Sequence, residues 1–395
     1  MSPSRAYFLY TACHAAMFSL SAATYVPWLL SLGLSLSQVM LINTCFWLAI
    51  VLFEIPTGML ADARSRAWSL RIGFILPAIG MTIRFFADDF GEALASEIID
   101  GIGYTFLSGI QDAWIVDALL KHDRGAEKGK VFANATIVRG AVSLPMAIVG
   151  SWMAATFGLS SVWIASAAFA LLALFVVCRY MNGDGEAPVK VSEFEALRLS
   201  LKAMKDNAAL RWSVAVNIIF ALVVAFNHLW TPYFLQWVPL ASLGFLWAPI
   251  YLSFALAGFA VRRASISAGK EARAMVVSLV VAGVGLALAG QMPSLIPTVA
   301  VVVIYEIGRA AFGPLLSSYT QHHVDSRHRA TYGSLQSLTG EGGMMIVLFG
   351  MSLFTRSRPD TPPTISTVWL AAGGLLVVLA LILYYFKPKE RPASS

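Results

Sequence analysis

The sequence predicts an all-α membrane protein with twelve transmembrane helices in two six-helix halves, on three observations. The 395-residue chain is 58% hydrophobic and 13% charged, with a mean hydropathy of +0.71. A soluble domain holds about 45–50% apolar and about 25% charged residues. Twelve apolar runs reach the roughly 20 residues needed to cross a hydrocarbon core. The longest hydrophilic stretch falls between the sixth and seventh of them, so the chain divides into halves of equal helix number.

Taken in order, the spans lie near 6–32, 38–60, 70–88, 93–119, 130–157, 161–180, 209–238, 242–261, 274–292, 295–320, 331–354 and 365–386. Residues Met1–Arg5 lead into an apolar run too long for a signal peptide, with no cleavage site, so the first span reads as an uncleaved helix. The predicted organisation is an N-terminal half (1–181), a linker (182–208), a C-terminal half (209–386) and a tail (387–395). The linker opens with the Gly/Pro-rich NGDGEAP. It continues with Phe194, Leu197, Leu201 and Met204 at helical spacing opposite Glu193, Glu195, Arg198, Lys202 and Lys205, the pattern of an amphipathic surface helix. With the N-terminus inside, 23 of the 28 Lys and Arg fall in cytoplasmic segments, 3 outside (Arg84, Arg356, Arg358) and 2 within the membrane (Arg139, Arg309). The excess of bases on the cytoplasmic side places both termini there, in a bacterial inner membrane. The net charge of +6 sits in short loops between apolar runs, so it reflects topology and excludes nucleic acid as a partner. Cys13, Cys45 and Cys178 lie inside apolar runs at unrelated spacings and form neither a disulfide framework nor a zinc site.

The loop between the second and third spans carries the most specific motif. In FEIPTGMLADARSRAWSLR (53–71), the order Gly58-x-Leu60-Ala61-Asp62-x-x-x-Arg66 resembles the signature between helices 2 and 3 of the major facilitator superfamily. Ser65 and Ala67 depart from that pattern, standing where the family has Gly and a base. The resemblance implies that family's fold: a central cavity lined by helices 1, 4, 7 and 10, and a gate joining this loop to the inner end of helix 4. Gly58 permits close helix approach. Asp62 suits the positive end of a helix, and Arg66 suits a carboxylate, for which Asp117 is the candidate. A weak repeat supports two related halves: Ile102-Gly103 and Ile307-Gly308 recur about 205 residues apart, and Gly58 and Gly258 close spans 2 and 8, 200 apart, with Arg262 in place of Asp62. The drug:proton antiporter pattern of the family is degenerate here. Glu97 replaces its Arg ahead of Gly101-x-Gly103, and its helix 5 motif is reduced to Pro145 and Gly150.

Polar residues at membrane depth mark a pathway, a pair or a relay. On a continuous fourth helix Glu97, Asp100, Tyr104, Ser108, Gln111 and Asp112 fall within about 120° of arc, facing a hydrated cavity, with Asp117 nearly opposite. On the first helix Tyr7, Tyr10, His14, Phe18, Ser21, Tyr25 and Trp28 fall within about 40° of His14. The seventh carries Asn217, Phe220, His228 and Thr231 on one side. The candidate substrate-cavity residues are therefore Tyr10, His14, Phe18, Tyr25, Tyr104, Ser108, Asn217, Phe220, His228 and Thr231. Equal depth suggests an Asp112–Arg139 pair. Glu306 and Arg309 stand one helical step apart and neutralise each other, which leaves Glu341, among small residues at 340–343, as a surplus acid.

Intramembrane acids (Glu54, Asp100, Asp112, Glu306, Glu341) outnumber the fixed bases, the requirement for proton coupling. The expected function is proton-coupled export of amphipathic small organic molecules by a monomeric secondary transporter using alternating access. Import of a small metabolite, or lipid handling or reception on the same scaffold, are the alternatives. Nothing suggests an enzyme or a cofactor. No GxxxxGK[ST] loop is present, so ATP does not drive the protein directly. His322, His323 and His328 beside Asp325 read as a solvated loop and not a metal site.

Overall fold

The computed structural model describes residues 1–181, 198, 204, 207–264, 270–323 and 329–388. The expected amphipathic linker helix lies outside the described residues, apart from Arg198 and Met204, both helical; so do Asp325 and His328 and the end of the tail. Among the described residues there is no strand, and ten helical stretches are individually long and apolar enough to cross a membrane. The first and fourth spans complete the set of twelve, each from two shorter helices.

The chain forms two compact units, Met1–Ser192 with Val238–Trp247, and Glu193–Trp237 with Ala248–Ser395. In the first, the elements are α1 (Pro3–Ser19), α2 (Tyr25–Ser31), α3 (Leu36–Ala63), α4 (Arg66–Phe86), α5 (Phe90–Leu107), α6 (Ile110–Lys121), α7 (Lys128–Phe157) and α8 (Ser161–Tyr180). In the second they are α9 (Ala208–Phe220), α10 (Val224–Phe234), α11 (Trp247–Ala264), α12 (Glu271–Ala289), α13 (Leu295–His323), α14 (Arg329–Thr355) and α15 (Pro362–Tyr385). Side-chain caps set several starts. Ser35 and Gln38 form a capping box ahead of α3, and Asp89 accepts from the Glu92 amide at 3.0 Å ahead of α5. Segment 238–247, which the sequence reading placed in the second half, belongs to the first unit because its 3₁₀ turn (Leu240–Leu246) lies on α7. There Gly244 meets the backbone of Ala147 and Ile148.

Three spans expected as continuous helices are interrupted. The first turns through 20–24, between α1 and α2. The fourth breaks at Ser108–Gly109, where Gly109 takes a φ of +70° that other residues avoid. The seventh tightens to a 3₁₀ turn at Ala221–Val223. Each break resets the direction in which the following side chains point, so a stripe counted at 100° per residue does not carry across it.

The two units repeat one packing plan. In the first, α4 lies against α5 and α8, and α1 against α7 and α8; in the second, α12 lies against α13 and α15, and α9 against α14 and α15. Trp163 on α8 packs edge-on to Trp28 at 5.0 Å, and its counterpart Trp369 on α15 donates to the Ala225 carbonyl at 3.0 Å. The recurring glycines sit at matching contacts. A Cβ on Gly103 would lie 2.6 Å from Pro77 Cδ of α4, and one on Gly308 would lie 2.6 Å from the Ala282 amide nitrogen and 2.7 Å from the Ser278 carbonyl oxygen of α12. Without side chains the helices approach closely, onto the Pro77 ring at Gly103 and onto backbone at Gly308, the kind of contact that holds membrane helices together.

Gly308→Ala is expected to cost about 1–3 kcal/mol, because the atoms it would displace belong to backbone. Gly258, with open space at its Cβ position, is the control: Gly258→Ala gains up to about 1 kcal/mol of helix propensity. Thermal unfolding of the two purified variants checks the contrast; equal melting temperatures would remove the packing role of Gly308.

Candidate substrate cavity and buried charge clusters

The first unit contains a cavity of about 310 Å³ lined by His14, Phe18, Tyr104, Ser108, Gln111 and Arg139, among others. Helical spacing on α1 builds one wall from His14 and Phe18, whose rings lie 5.0 Å apart; Tyr10, expected in the cavity, is instead buried behind His14 at 5.8 Å, and Phe74 of α4 stands edge-on to His14 at 5.8 Å. Two hydroxyls tie this wall to α6. Tyr10 donates to Gln111 Oε1 at 2.8 Å, and Tyr7 donates to Asp112 Oδ1 at 2.6 Å. Tyr25 lies apart from this group. Beyond the turn at 20–24 its hydroxyl donates to Asn43 Oδ1 of α3 at 3.2 Å, and its ring meets Trp163.

Glu97 and Asp100, expected to face the same cavity, instead form a buried triad with Arg84. The Arg84 Nη2 reaches Glu97 Oε1 at 2.8 Å and Asp100 Oδ2 at 2.6 Å, while its Nε donates to Ser96 Oγ at 3.2 Å. The guanidinium lies 4.7 Å over the Trp163 ring. Arg84, Glu97 and Asp100 are only 4%, 4% and 7% exposed. Arg84, counted above with the bases outside, is instead buried: it lies in the last turn of α4 and turns inward onto α5. The available signal was an Arg at the end of an apolar run, followed on the antiparallel helix by two acids three residues apart. The stripe divides: Glu97 and Asp100 face Arg84, while Tyr104 and Ser108 farther along the same helix line the cavity with Gln111, which follows the break at Gly109.

The expected Asp112–Arg139 pair does not form. Asp112 turns toward α1, where Tyr7 takes it, and among the described residues no ion pair engages Arg139. Its side chain is exposed and lines the cavity.

At the start of α4, Arg66 is buried and its Nη1 meets Asp117 Oδ2 of α6 at 2.5 Å. Ser65, one of the departures from the family pattern, caps α4 by accepting from the Trp68 amide at 3.2 Å. Gly58 and Asp62 lie in α3; the Asp62 side chain lies outside the described residues.

In the second unit, Arg309 Nη2 meets Glu306 Oε2 at 2.6 Å, and the guanidinium lies 5.1 Å from the Phe254 ring. Glu341 is buried. Its Oε1 accepts from the Ser337 hydroxyl at 3.0 Å, and no hydrogen bond among the described residues reaches its Oε2. Gly340 and Gly343 bring α14 against Asn217 and Ala221. Asn217 is absorbed in this contact, its Nδ2 donating to the Gln336 carbonyl at 2.7 Å. Phe220 stacks on Phe312 at 4.1 Å, Thr231 is buried and His228 is half-buried. His322 Nδ1 lies 2.7 Å from Glu271 Oε1. Among the described residues no group of three or more His, Cys, Asp or Glu is arranged to hold a metal.

Membrane-spanning helices in two units of one packing plan, with ion pairs buried between them, are the architecture on which the class of the protein rests. The sequence profile of the Major Facilitator Superfamily matches residues 7–348, and the chain belongs to that family. No curated protein matches it significantly. Solved structures share its fold at low identity. A variant of the nucleoside transporter NupG is 15% identical with a TM-score of 0.83, covering 98% of this chain and 100% of its own. The D-xylose-proton symporter is 14% identical with a TM-score of 0.75, covering 99% of each chain. A bacterial homologue of the human lysosomal transporter Spinster, inward-facing and unoccupied, is 16% identical with a TM-score of 0.68, covering 98% of this chain and 95% of its own.

Removing Arg84 leaves two buried carboxylates without a counter-charge. Arg84→Gln is expected to cost about 3–5 kcal/mol, and the triple neutralisation Arg84→Gln, Glu97→Gln, Asp100→Asn less than Arg84→Gln alone. Additive losses in thermal unfolding would contradict the contact.

Proposed function

We propose that this chain is a proton-coupled secondary transporter that exports amphipathic small organic molecules by alternating access. The observation that carries the proposal is the charge count in the buried triad: two carboxylates share one guanidinium, so the group is neutral only with a proton bound. In the second unit Arg309 offsets Glu306, and Glu341 has no basic partner among the described residues. The triad thus holds one carboxyl group more than its guanidinium offsets, and the Glu341 site holds another. An excess carboxyl in a medium that penalises charge takes up and releases a proton as its surroundings dry and wet, the property a proton-driven carrier needs. The His14 and Phe18 wall suits a solute with an apolar, planar part. The distribution of Lys and Arg supports cytoplasmic termini in a bacterial inner membrane, and the protein is taken to act as a monomer.

A second reading, import of a small metabolite by proton symport, is favoured by the shared fold of the D-xylose-proton symporter. Transport in sealed vesicles with an imposed pH gradient separates the two. Export coupled to proton entry drives the solute against the direction of the proton gradient, and symport drives it along that direction. Transport indifferent to the gradient would end both.

Asp100→Asn and Glu341→Gln keep shape and hydrogen bonding but do not titrate. At least one should abolish gradient-driven accumulation while leaving solute-for-solute exchange intact; parental accumulation in both would place the coupling proton elsewhere. For the gate, Asp117→Asn removes the partner of Arg66 and unbalances the conformational states. It should slow net transport by roughly tenfold with solute affinity changed less than about twofold. A parental transport rate in well-expressed protein would assign the pair to structure alone.

A further inference from the structure

The first unit's cavity is rich in hydrogen-bond donors. Arg139 brings a guanidinium with five N–H groups and no counter-ion among the described residues. Gln111 uses its carbonyl oxygen to accept from Tyr10, which leaves its amide N–H groups as donors. Ser108 adds a hydroxyl, and the cavity wall includes Gly109, the N-cap of the twelve-residue helix α6. No carboxylate lines the cavity. The neighbouring acid, Asp112, is turned toward α1 and held by the Tyr7 hydroxyl. The ion pairs of the neighbouring helices lie apart from it, Arg84 with Glu97 and Asp100, and Arg66 with Asp117. An intramembrane cation is costly unless an anion faces it, so the chemistry of this wall calls for an anion from outside the protein.

We propose that the cavity binds the anionic group of an amphipathic organic acid, with Arg139 as its counter-ion, Gln111 and Ser108 as added donors, and the His14–Phe18 wall against its apolar part. The assignment rests on the transporter reading for its biological role, but not for its chemistry: it concerns which solutes bind. A guanidinium meets a carboxylate through two parallel N–H···O bonds, which gives direction as well as attraction. The neutral amide of the same acid offers neither the charge nor the second acceptor oxygen.

The test is direct binding to the full-length protein in phosphatidylcholine nanodiscs, so it does not depend on transport being observed. The probes are 1-naphthoate and indole-3-acetate, each paired with its neutral amide, 1-naphthamide and indole-3-acetamide. At least one acid is expected to bind roughly tenfold or more tightly than its amide. In Arg139→Gln that ratio should fall toward one, and in Arg139→Lys it should persist at a reduced value. Asp112→Asn distinguishes counter-ion from structural tie: if Arg139 serves the solute, this variant keeps or strengthens the acid preference. Loss of the preference in Asp112→Asn would mean that Arg139 serves Asp112, overturning the proposal. Failure of both acids to bind folded parental protein, or a preference that survives Arg139→Gln, would also overturn it. Displacement of 1-naphthoate when phosphatidylglycerol replaces half of the phosphatidylcholine would show the anion to be a lipid headgroup and overturn the assignment to a solute. A transport assay that fails while the acid preference stands would count against the transporter reading alone.

Discussion

The constraint on which this molecule depends is that a charge inside the bilayer must meet its opposite or be neutralised. An isolated carboxylate or guanidinium in a low-dielectric medium costs more than helix packing returns. The first unit meets the constraint by folding Arg84 inward from the last turn of α4, where it touches Glu97 and Asp100 together. The second meets it within one helix, Arg309 reaching back one turn to Glu306. The packing plan around the two sites is common, and the charges are not copied along with it. The same architecture therefore holds different electrostatics in each half, one carboxyl beside its guanidinium in excess and one, Glu341, on a separate helix.

The interruptions in the helices follow from a second demand, that polar backbone be satisfied internally where water is absent. The breaks at 20–24 and Ala221–Val223 stay within hydrogen-bonded turns: the Thr24 and Tyr25 amides return to the Ser21 carbonyl, and the 3₁₀ bonds of the second tighten the same chain direction. The Gly109 break differs. The left-handed glycine redirects α6, and it is this redirection that presents Gln111 and Asp112 to Tyr10 and Tyr7 while Glu97 and Asp100 face Arg84. Tyr104 and Ser108 ahead of the break line the cavity together with Gln111 beyond it, and Glu97 and Asp100, a turn or more earlier, belong to the ion cluster.

The twelve spans, the helical class and the family were legible because they rest on quantities summed over many residues: apolar run length, loop charge and a motif with fixed spacing. The recurrence of Ile-Gly at 102–103 and 307–308 was legible for the same reason, and its cause is a close helix contact that any side chain would obstruct. Individual partners were legible only where one helix carried both groups, as with Glu306 and Arg309, or where a family pattern pointed to them, as with Arg66 and Asp117. Arg84 was hidden because counting bases assigns a charge near a span's end to the loop, although its side chain is long enough to fold back along the helix. Asp112 and Arg139 were matched by depth alone, and depth does not contain the direction in which a side chain points.

That direction decides what the cavity can recognise. Had Asp112 faced Arg139, the wall would be neutral and its selectivity would come from shape and aromatic contact. The Tyr7 hydroxyl prevents this by holding the carboxylate at 2.6 Å on the α1 side, and Tyr10 likewise commits the acceptor end of Gln111. Two tyrosines spaced three apart on α1 thus commit the Asp112 carboxylate and the Gln111 carbonyl oxygen, and leave the Gln111 amide and the Arg139 guanidinium to the cavity. Selection between an acid and a neutral solute is in this way set one layer behind the residues that touch the solute, by phenols whose own rings are packed out of reach.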